Sequence, residues 1–356
     1  MNFDKNSDVD TYGKDTVIEE TNAVLSPKKN RKLLYIFLTV FAALFIIMLI
    51  FTFFTPLVAS LMLRTAFRNG IAIAPNDYEN IQESVTVTKN LTYPSVNKDN
   101  LADFYIPKET TSLCPIILWV HGGAFVAGDK KDIEIYATVL ASKGYAVLSI
   151  NYHRAPGAKY PTPVIQTGEA YVWLKTVSND YPIDINKIVL AGDSAGAHIV
   201  AQFAVIQTSD SYAKYMSMEQ IVPKDAIKAV LLFCGPFDVS KILETNNSVL
   251  KFMLDKSAWA YFGTRDWSTK FSYEATIANH VTEAFPPTFI SDGNTGSFEN
   301  HGRELANELG GNGTPVETYF IPKDVEITNH EYQFIMNTPS GIESLQRTLN
   351  FLESYV

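Results

Sequence analysis

The stretch K-I-V-L-A-G-D-S-A-G, residues 187–196, joins an apolar run to a serine between two glycines. The apolar run is typical of a buried strand, and a helical pattern over 195–207 follows it. A strand, G-x-S-x-G and a helix in this order form a sharp turn that exposes a nucleophilic serine. Gly192 and Gly196 carry no side chain that would obstruct the turn. We therefore predict that Ser194 is a nucleophile, placed where the N-terminus of the helix favours a developing anion.

A second pair of glycines follows an earlier apolar run. P-I-I-L-W-V at 115–120 predicts a strand buried on both faces, and H-G-G-A-F at 121–125 comes directly after it. Acyl transfer passes through a tetrahedral oxyanion, which backbone N–H groups must already face. Glycine lets the backbone approach that closely. We predict that the N–H groups of Gly122, Gly123 and Ala195 form this oxyanion hole.

A general base must take the proton from the serine, and chain position points to one histidine. The last apolar run, V-E-T-Y-F-I at 316–321, is followed by a loop that contains N-H-E-Y-Q-F. His330 in that loop is the candidate, because the base comes late in the chain when the serine turn has this form. His121 is expected to shape the oxyanion loop, and the other four histidines are less well placed. We therefore predict a Ser194–His330 pair.

Apolar runs and helical patterns alternate from residue 84 onwards, which predicts a parallel sheet with helices on both faces. The alternation breaks at 239–283, a segment rich in aromatic residues. It follows a strand on the side where ligands bind, so we predict that it forms a cap over the site. Its aromatic side chains would either form the core of the cap or line an apolar acyl pocket, and the sequence leaves both alternatives open.

These motifs together resemble the hormone-sensitive-lipase-like branch of the α/β-hydrolase esterases. The resemblance rests on H-G-G-A-F, G-D-S-A-G and the late His330, and on three further stretches, Y-H-R-A-P, L-L-F-C-G-P-F-D and P-P-T-F-I. It covers about residues 84–356. It implies the α/β-hydrolase fold, with a mostly parallel eight-stranded sheet, helices on both faces and a helical cap. It also implies a serine esterase that uses no metal and no cofactor.

The sequence departs from this family at the triad acid. The resemblance places the acid in the loop after P-P-T-F-I, where Gly296 occupies the position of the family's aspartate. Asp292, at the end of the preceding strand, is our preferred replacement, and Glu299 is the next candidate. Ser297 is predicted to cap a helix, in which case Glu299 would only support the helix start. Asp238 and a dyad without an acid stay open. The acid's role is to hold the imidazole tautomer and stabilise the imidazolium.

The N-terminal part of the chain contains a candidate membrane span. Residues 33–55 are long and apolar enough to cross a bilayer, and longer than the apolar region of a cleaved signal peptide. We therefore predict a retained signal anchor, with a cleaved signal or a buried soluble helix as alternatives. Basic residues are concentrated before the span, which favours a cytoplasmic N-terminus and an extracytoplasmic C-terminal part at the cell membrane.

Composition and patterning together divide the chain into parts. We predict a disordered cytoplasmic tail over 1–32, a transmembrane anchor over 33–55 and amphipathic linker or cap helices over 56–83. A hydrolase domain follows over 84–356, with its cap insertion at 239–283. The chain of 356 residues has a net charge of −9, which argues against a nucleic-acid partner. Its two cysteines are too few for a disulfide framework, and we expect both to be buried.

The predicted function is hydrolysis of short to medium acyl esters by a membrane-anchored serine carboxylesterase, through an acyl-serine intermediate. A deacetylase of cell-surface glycans or an amidase would use the same residues. A catalytically silent hydrolase fold that binds a ligand is the third alternative, supported only by the altered acid loop. A small ester and the membrane are the expected partners, and the sequence does not predict the oligomeric state.

Overall fold

The structure, a computed structural model, describes residues 27–68 and 70–356, with side chains from residue 31 onwards. Residues 1–26 of the predicted tail lie outside this part. The chain divides into two compact units, Met1–Leu49 and Ile50–Val356.

The first helix, α1, runs over Pro27–Phe54. Its segment Arg31–Phe54 has 24 residues, includes an 18-residue window of mean hydropathy 3.0, and is long and apolar enough to cross a membrane. This helix coincides with the predicted anchor, and its insertion into a bilayer stays a prediction.

The unit Ile50–Val356 is built around one eight-stranded sheet. In chain order its strands are β1 Val85–Thr92, β2 Leu101–Pro107, β3 Cys114–Val120, β4 Ala146–Ile150, β5 Ile183–Asp193, β6 Ile227–Phe233, β7 Thr288–Asp292 and β8 Val316–Phe320. The spatial order is β1-β2-β4-β3-β5-β6-β7-β8. The pairs β1/β2 and β2/β4 are antiparallel, and the other neighbours are parallel. The mostly parallel sheet of eight strands is therefore confirmed.

Helices cover both faces of this sheet. After α1 they are α2 Leu57–Ala66, α3 Tyr78–Glu83, α4 Glu134–Ser142, α5 Thr162–Val177, α6 Ala195–Thr208, α7 Asp210–Met216, α8 Ser248–Phe262, α9 Trp267–Lys270, α10 Ser272–Ala275, α11 Glu299–Gly311 and α12 Pro339–Tyr355. Alternate residues of β3 pack into two hydrophobic cores, one on each face of the sheet, because successive side chains of a strand point to opposite faces. Ile116 and Leu118 pack with α5 and α6, whereas Ile117 and Trp119 pack with α4 and α12.

The predicted cap insertion, 239–283, is helical and contains α8, α9 and α10. Its aromatic residues stack on one another: the ring of Phe262 lies 4.9 Å from that of Phe271 and 6.2 Å from that of Trp267. Trp267 and Tyr261 are fully buried. The buried aromatic residues therefore form the core of the cap itself, whereas Tyr273 is 63% exposed.

The segment before the sheet is part of the fold rather than a free linker. Helix α2 packs on α8 of the cap. Arg64 donates from Nε to the Val126 carbonyl, at 2.7 Å, and from Nη2 to the Ala155 carbonyl, at 3.0 Å. Further along, the Ile73 amide donates to the Phe334 carbonyl at 2.9 Å. These contacts fix the segment on the rest of the unit, and its assignment as linker or cap helices stays a prediction.

Candidate active site

Ser194 lies at the turn between β5 and α6, and its backbone is strained. It has φ 50° and ψ −119°, a conformation that L residues rarely adopt outside functional turns. The glycines on either side permit this turn. A Cβ on Gly192 would lie 2.5 Å from the carbonyl carbon of Gly196, and one on Gly196 would clash with the carbonyl oxygen of Val120. The turn brings Ser194, which is 8% exposed, to the wall of a cavity.

His330, on the loop after β8, faces this serine. Its Nε2 atom is 2.9 Å from Ser194 Oγ. Burial lowers the pKa of the imidazole to about 4, so the ring is neutral at neutral pH. A neutral imidazole at this distance can accept the hydroxyl proton as a general base. The structure therefore brings together the two residues that the sequence pairs.

The acid contacts the histidine through a third residue, Ser297. The Ser297 hydroxyl lies 2.6 Å from His330 Nδ1 and donates to Asp292 Oδ1. Asp292 Oδ2 also accepts from the amide of Phe298 at 3.2 Å. Asp292 is 1% exposed, and burial raises the pKa of its carboxyl to about 7. The chain Asp292–Ser297–His330–Ser194 orients the imidazole with Nδ1 protonated and Nε2 free to accept.

The predicted helix cap at Ser297 is wrong. The α11 helix begins one residue later than a Ser297 cap requires, and Ser297 uses its hydroxyl within the site. Glu299 forms an ion pair with Arg303 one helical turn further on, at 2.7 Å. Asp238 accepts from the Ser240 amide and so caps a short turn. Of the acid candidates, Asp292 is the one joined to His330.

One of the three predicted oxyanion-hole amides, that of Gly122, already has a hydrogen-bond partner in the protein. The Gly122 N–H donates to Asp193 Oδ2 at 2.7 Å, so it is not free to face an oxyanion. The next residues, Gly123 and Ala124, have φ values of 106° and 52° and line the cavity beside Ser194. A Cβ on Gly123 would clash with the backbone of residue 127. The amide of Ala124 therefore replaces that of Gly122 as a candidate donor, beside those of Gly123 and Ala195.

Asp193, which is buried, and Glu331, which is partly buried, form a carboxyl pair under this loop, which the sequence did not reveal. Asp193 Oδ1 accepts from Trp119 Nε1 at 2.7 Å and its side chain is hydrogen-bonded to Glu331. Burial raises the pKa of the Glu331 carboxyl well above its usual range. The neighbouring Asp193 carboxyl adds to this rise in the pKa of Glu331 and itself holds the Gly122 amide. The Glu331 Oε1 atom is 3.8 Å from His330 Nε2.

His121 supports the same loop from within. Its Nδ1 atom is 2.7 Å from the carbonyl oxygen of Gly122, and its ring stacks on Tyr152 at 4.6 Å. Burial lowers the pKa of this imidazole to about 4. His121 thus lies where the sequence analysis expects it, next to the loop and away from the Ser194 hydroxyl.

A cavity of about 320 Å³ lies over Ser194 and His330. Leu63 of α2 and Phe67 form part of its wall, and the cap contributes Leu250, Met253 and Leu254 of α8. The apolar residues that the cap contributes to the wall are therefore aliphatic, and they lie beside polar ones that include Lys241, Thr245 and Ser257. Ligand pockets usually have volumes of about 300–1,000 Å³, so this cavity is at the small end.

Three side chains beside the serine, two of them buried, are also close enough to hold a metal ion. The ligand atoms of Cys234, Asp292 and His330 lie within 4.8 Å of one another. Each atom already has a protein partner: Cys234 Sγ accepts from the Glu331 amide, and the other two bond to Ser297. We assign no metal to this cluster. Both cysteines are free and buried, as expected.

Comparison with known proteins agrees with this architecture. The BD-FAE family matches residues 102–302, more than half of the chain. The probable carboxylic ester hydrolase LipM of Mycobacterium tuberculosis is 22% identical over 191 residues, covering 53% of this chain and 43% of LipM. An acetyl esterase of Salmonella schwarzengrund is 24% identical over 242 residues, or 66% of this chain and 71% of the relative. The match thus spans about two fifths of the length of the first of these relatives.

Solved structures show the same fold at low sequence identity. Esterase B from Lactobacillus rhamnosis has a TM-score of 0.67 and 20% identity, covering 77% of this chain and 86% of that one. A bacterial heroin esterase has a TM-score of 0.62 and 20% identity, covering 82% and 95%. The family match, the sheet order and the serine turn lead to one conclusion: the chain belongs to the BD-FAE family and has the α/β-hydrolase fold.

Proposed function

We propose that this protein is a serine carboxylesterase that hydrolyses short to medium acyl esters. The observation that carries the proposal is the 2.9 Å contact between Ser194 Oγ and His330 Nε2, with the imidazole oriented by Ser297 and Asp292. The relatives described as acetyl esterase and carboxylic ester hydrolase support the same reaction class. The small cavity supports short to medium acyl groups.

The reaction proceeds in two halves. His330 takes the proton of Ser194 while Oγ attacks the ester carbonyl, and the amides of Gly123, Ala124 and Ala195 stabilise the oxyanion. The imidazolium then gives its proton to the departing alcohol oxygen, which leaves an acyl-serine. In the second half His330 takes a proton from water, the hydroxide attacks the acyl carbon, and the acid is released with Ser194 restored. Every proton in this scheme moves through His330, so it requires neither a metal nor a cofactor.

The test is hydrolysis of p-nitrophenyl esters from acetyl to dodecanoyl by the full chain in detergent. The full chain is needed because Leu63 and Phe67 form part of the cavity wall. We expect the highest kcat/KM between butyryl and octanoyl, and loss of activity in Ser194→Ala. A wild-type chain that hydrolyses none of these esters would contradict the proposal.

A deacetylase of surface glycans is the second candidate, because several relatives are acetyl esterases. It differs from the first in the alcohol part of the substrate. Release of acetate from acetylated oligosaccharides, with no activity on butyryl or longer esters, would select it.

We further propose that α1 anchors the enzyme to the cell membrane, with the N-terminus in the cytoplasm and the hydrolase domain outside. The length and hydropathy of Arg31–Phe54 and the basic residues before the span support this topology. Protease added to intact cells is expected to degrade the domain and to leave cytoplasmic controls untouched. Resistance to protease in intact cells, with sensitivity after lysis, would place the domain inside.

A further inference from the structure

The last turn of α1 is fastened to the cap by two cations. The carbonyl oxygen of Phe53 accepts from Lys256 Nζ at 3.0 Å and from Arg265 Nη2 at 2.9 Å. Carbonyl groups at the end of a helix have no partner within the helix, so these side chains satisfy one of them. The residue that ends the apolar span is therefore attached directly to the cap helices over the cavity.

Aromatic rings surround these cations. The Arg265 guanidinium lies 4.5 Å from the centre of the Trp259 ring and 5.6 Å from that of Phe54. Lys256 Nζ lies 4.6 Å from the Trp259 ring. Tryptophan beside lysine and arginine is the composition found at membrane–water interfaces, where the rings sit among headgroups. Arg265 is exposed and can reach a headgroup phosphate, whereas Lys256 is 5% exposed and is used by the Phe53 carbonyl. We call Phe53, Phe54, Lys256, Trp259 and Arg265 the interfacial cluster.

Helix α2 presents apolar side chains to solvent just beyond this cluster. Leu57, Leu61 and Met62 are 46%, 60% and 58% exposed. We call these three residues the outer stripe. Residue 57 lies three positions after Phe54, so the chain between them spans at most about 11 Å. Because α2 also packs on α8, the stripe is held in place on the cap.

Residues that follow this stripe closely in the chain form the mouth of the cavity. Phe67 and Ile71 both line the cavity and are 39% and 41% exposed, so they form part of its mouth. Leu63, in the same helix as the stripe, lines the interior. One short helix thus has an outer apolar side facing solvent and an inner side facing the active site.

We propose that the outer stripe and the cavity mouth rest on the bilayer surface, and that substrate esters enter the active site from the lipid leaflet. This inference rests on the proposed esterase activity and anchor. We choose the bilayer as the surface that covers the outer stripe, because the interfacial cluster joins the cap to the final residues of the span. An amphipathic helix on a membrane buries its apolar face about 5–10 Å into the headgroup boundary. The preferred substrates are then lipophilic esters with a short to medium acyl chain.

The first test compares two esters that carry the same acyl group. The full chain is reconstituted into phosphatidylcholine vesicles and assayed with p-nitrophenyl butyrate, which is supplied from water, and with hexadecyl butyrate, which is dissolved in the bilayer. The variant Leu61→Asp/Met62→Asp places charge on the outer stripe. The matched control is Val96→Asp, because Val96 is 98% exposed and lies in the β1–β2 connection.

We expect the stripe variant to hydrolyse hexadecyl butyrate about tenfold more slowly and p-nitrophenyl butyrate at the wild-type rate. The control variant should hydrolyse both at the wild-type rate. Equal rates of wild type and stripe variant on hexadecyl butyrate would overturn the inference, and so would equal losses on both esters, which would mean a structural role. A wild type that hydrolyses neither ester would instead refute the proposed function.

A second test measures how deeply the outer stripe lies in the bilayer, and its readout does not depend on activity. Met62→Cys and Val96→Cys are labelled with a fluorescent thiol reagent, since both native cysteines are buried. The vesicles contain lipids that carry a nitroxide quencher near the headgroup. We expect strong quenching at residue 62 and little at residue 96. Equal quenching at the two positions in an enzyme that hydrolyses p-nitrophenyl butyrate would overturn the inference and leave the esterase proposal intact.

Discussion

Replacement of Ser297 by alanine tests the indirect link between the acid and the histidine. In the structure the His330 Nδ1–H group has the Ser297 hydroxyl as its partner at 2.6 Å, and this hydroxyl donates to Asp292. Ser297→Ala removes the bridging oxygen and leaves the carboxylate in place. The imidazolium that forms in the transition state then loses its hydrogen-bond acceptor.

The size of the effect follows from the kind of hydrogen bond that is lost. A hydrogen bond to a charged group contributes about 1.5–3 kcal/mol. At about 1.36 kcal/mol per tenfold change in rate, kcat should fall by about 10- to 150-fold. Asp292→Asn should cost more, about 10⁴-fold in kcat, because the wrong tautomer is then stabilised. KM should change little in either variant.

The assay is steady-state hydrolysis of p-nitrophenyl butyrate by the full chain. Ser297→Thr keeps the hydroxyl and should recover at least half of the wild-type kcat. Glu299→Gln, on the next helical turn, is the control and should lower kcat less than twofold. Wild-type kcat in Ser297→Ala, together with a large loss in Asp292→Asn, would show that the carboxylate contacts His330 directly and would refute the reasoning.

Three further predictions concern pH, the oxyanion loop and the carboxyl pair. Because burial lowers the pKa of His330 to about 4 and raises that of Asp292 to about 7, the ring is neutral well below pH 7 and ionisation of Asp292 should set the acid limb of the pH profile of kcat/KM, with its midpoint near 7; a wild-type midpoint near 4 would contradict this. Gly123→Ala should lower kcat about 10²-fold because the new methyl group meets the backbone of residue 127, whereas Gly144→Ala, also at positive φ but with open space around it, should keep full activity. Burial raises the pKa of Glu331 in the folded state, so the folded form binds more protons than the unfolded form above about pH 4.3 and loses stability as pH rises. Glu331→Gln should therefore raise Tm at about pH 8 relative to wild type and have little effect near pH 4, as measured by thermal melts; a pH-independent difference would show that Glu331 is ionised in the folded state.

The sequence was sufficient for the parts of the site that depend on local pattern. Ser194 and its turn follow from a strand, two glycines and a helix within one short stretch, and His330 follows from its place after the last strand. The eight-stranded sheet follows from a resemblance that joins motifs over most of the chain. Each of these features is fixed by backbone geometry, which short patterns of residue types encode.

Features that depend on contacts between distant side chains could not be predicted. The Gly122 amide donates a hydrogen bond to Asp193, which lies 71 residues away in the chain. Ser297 has the residue type of a helix cap and precedes α11 by two residues, and only the path of its loop brings the hydroxyl between Asp292 and His330. Glu331 is adjacent to His330 in sequence, yet its burial against Asp193 depends on how two loops meet.

The attachments of the segment before the sheet bear on what a fragment released from the cell could do. Arg64 fastens α2 to two loops beside the cavity, and Ile73 pairs with the chain just beyond the histidine loop. A protease that cuts between α2 and β1 would free a soluble hydrolase core without the wall formed by Leu63 and Phe67. If α1 anchors the enzyme outside the cell, as proposed, we expect shedding at that point to inactivate it as well. Its activity would then be confined to the surface of the cell that made it, and neighbouring cells would gain no diffusible activity.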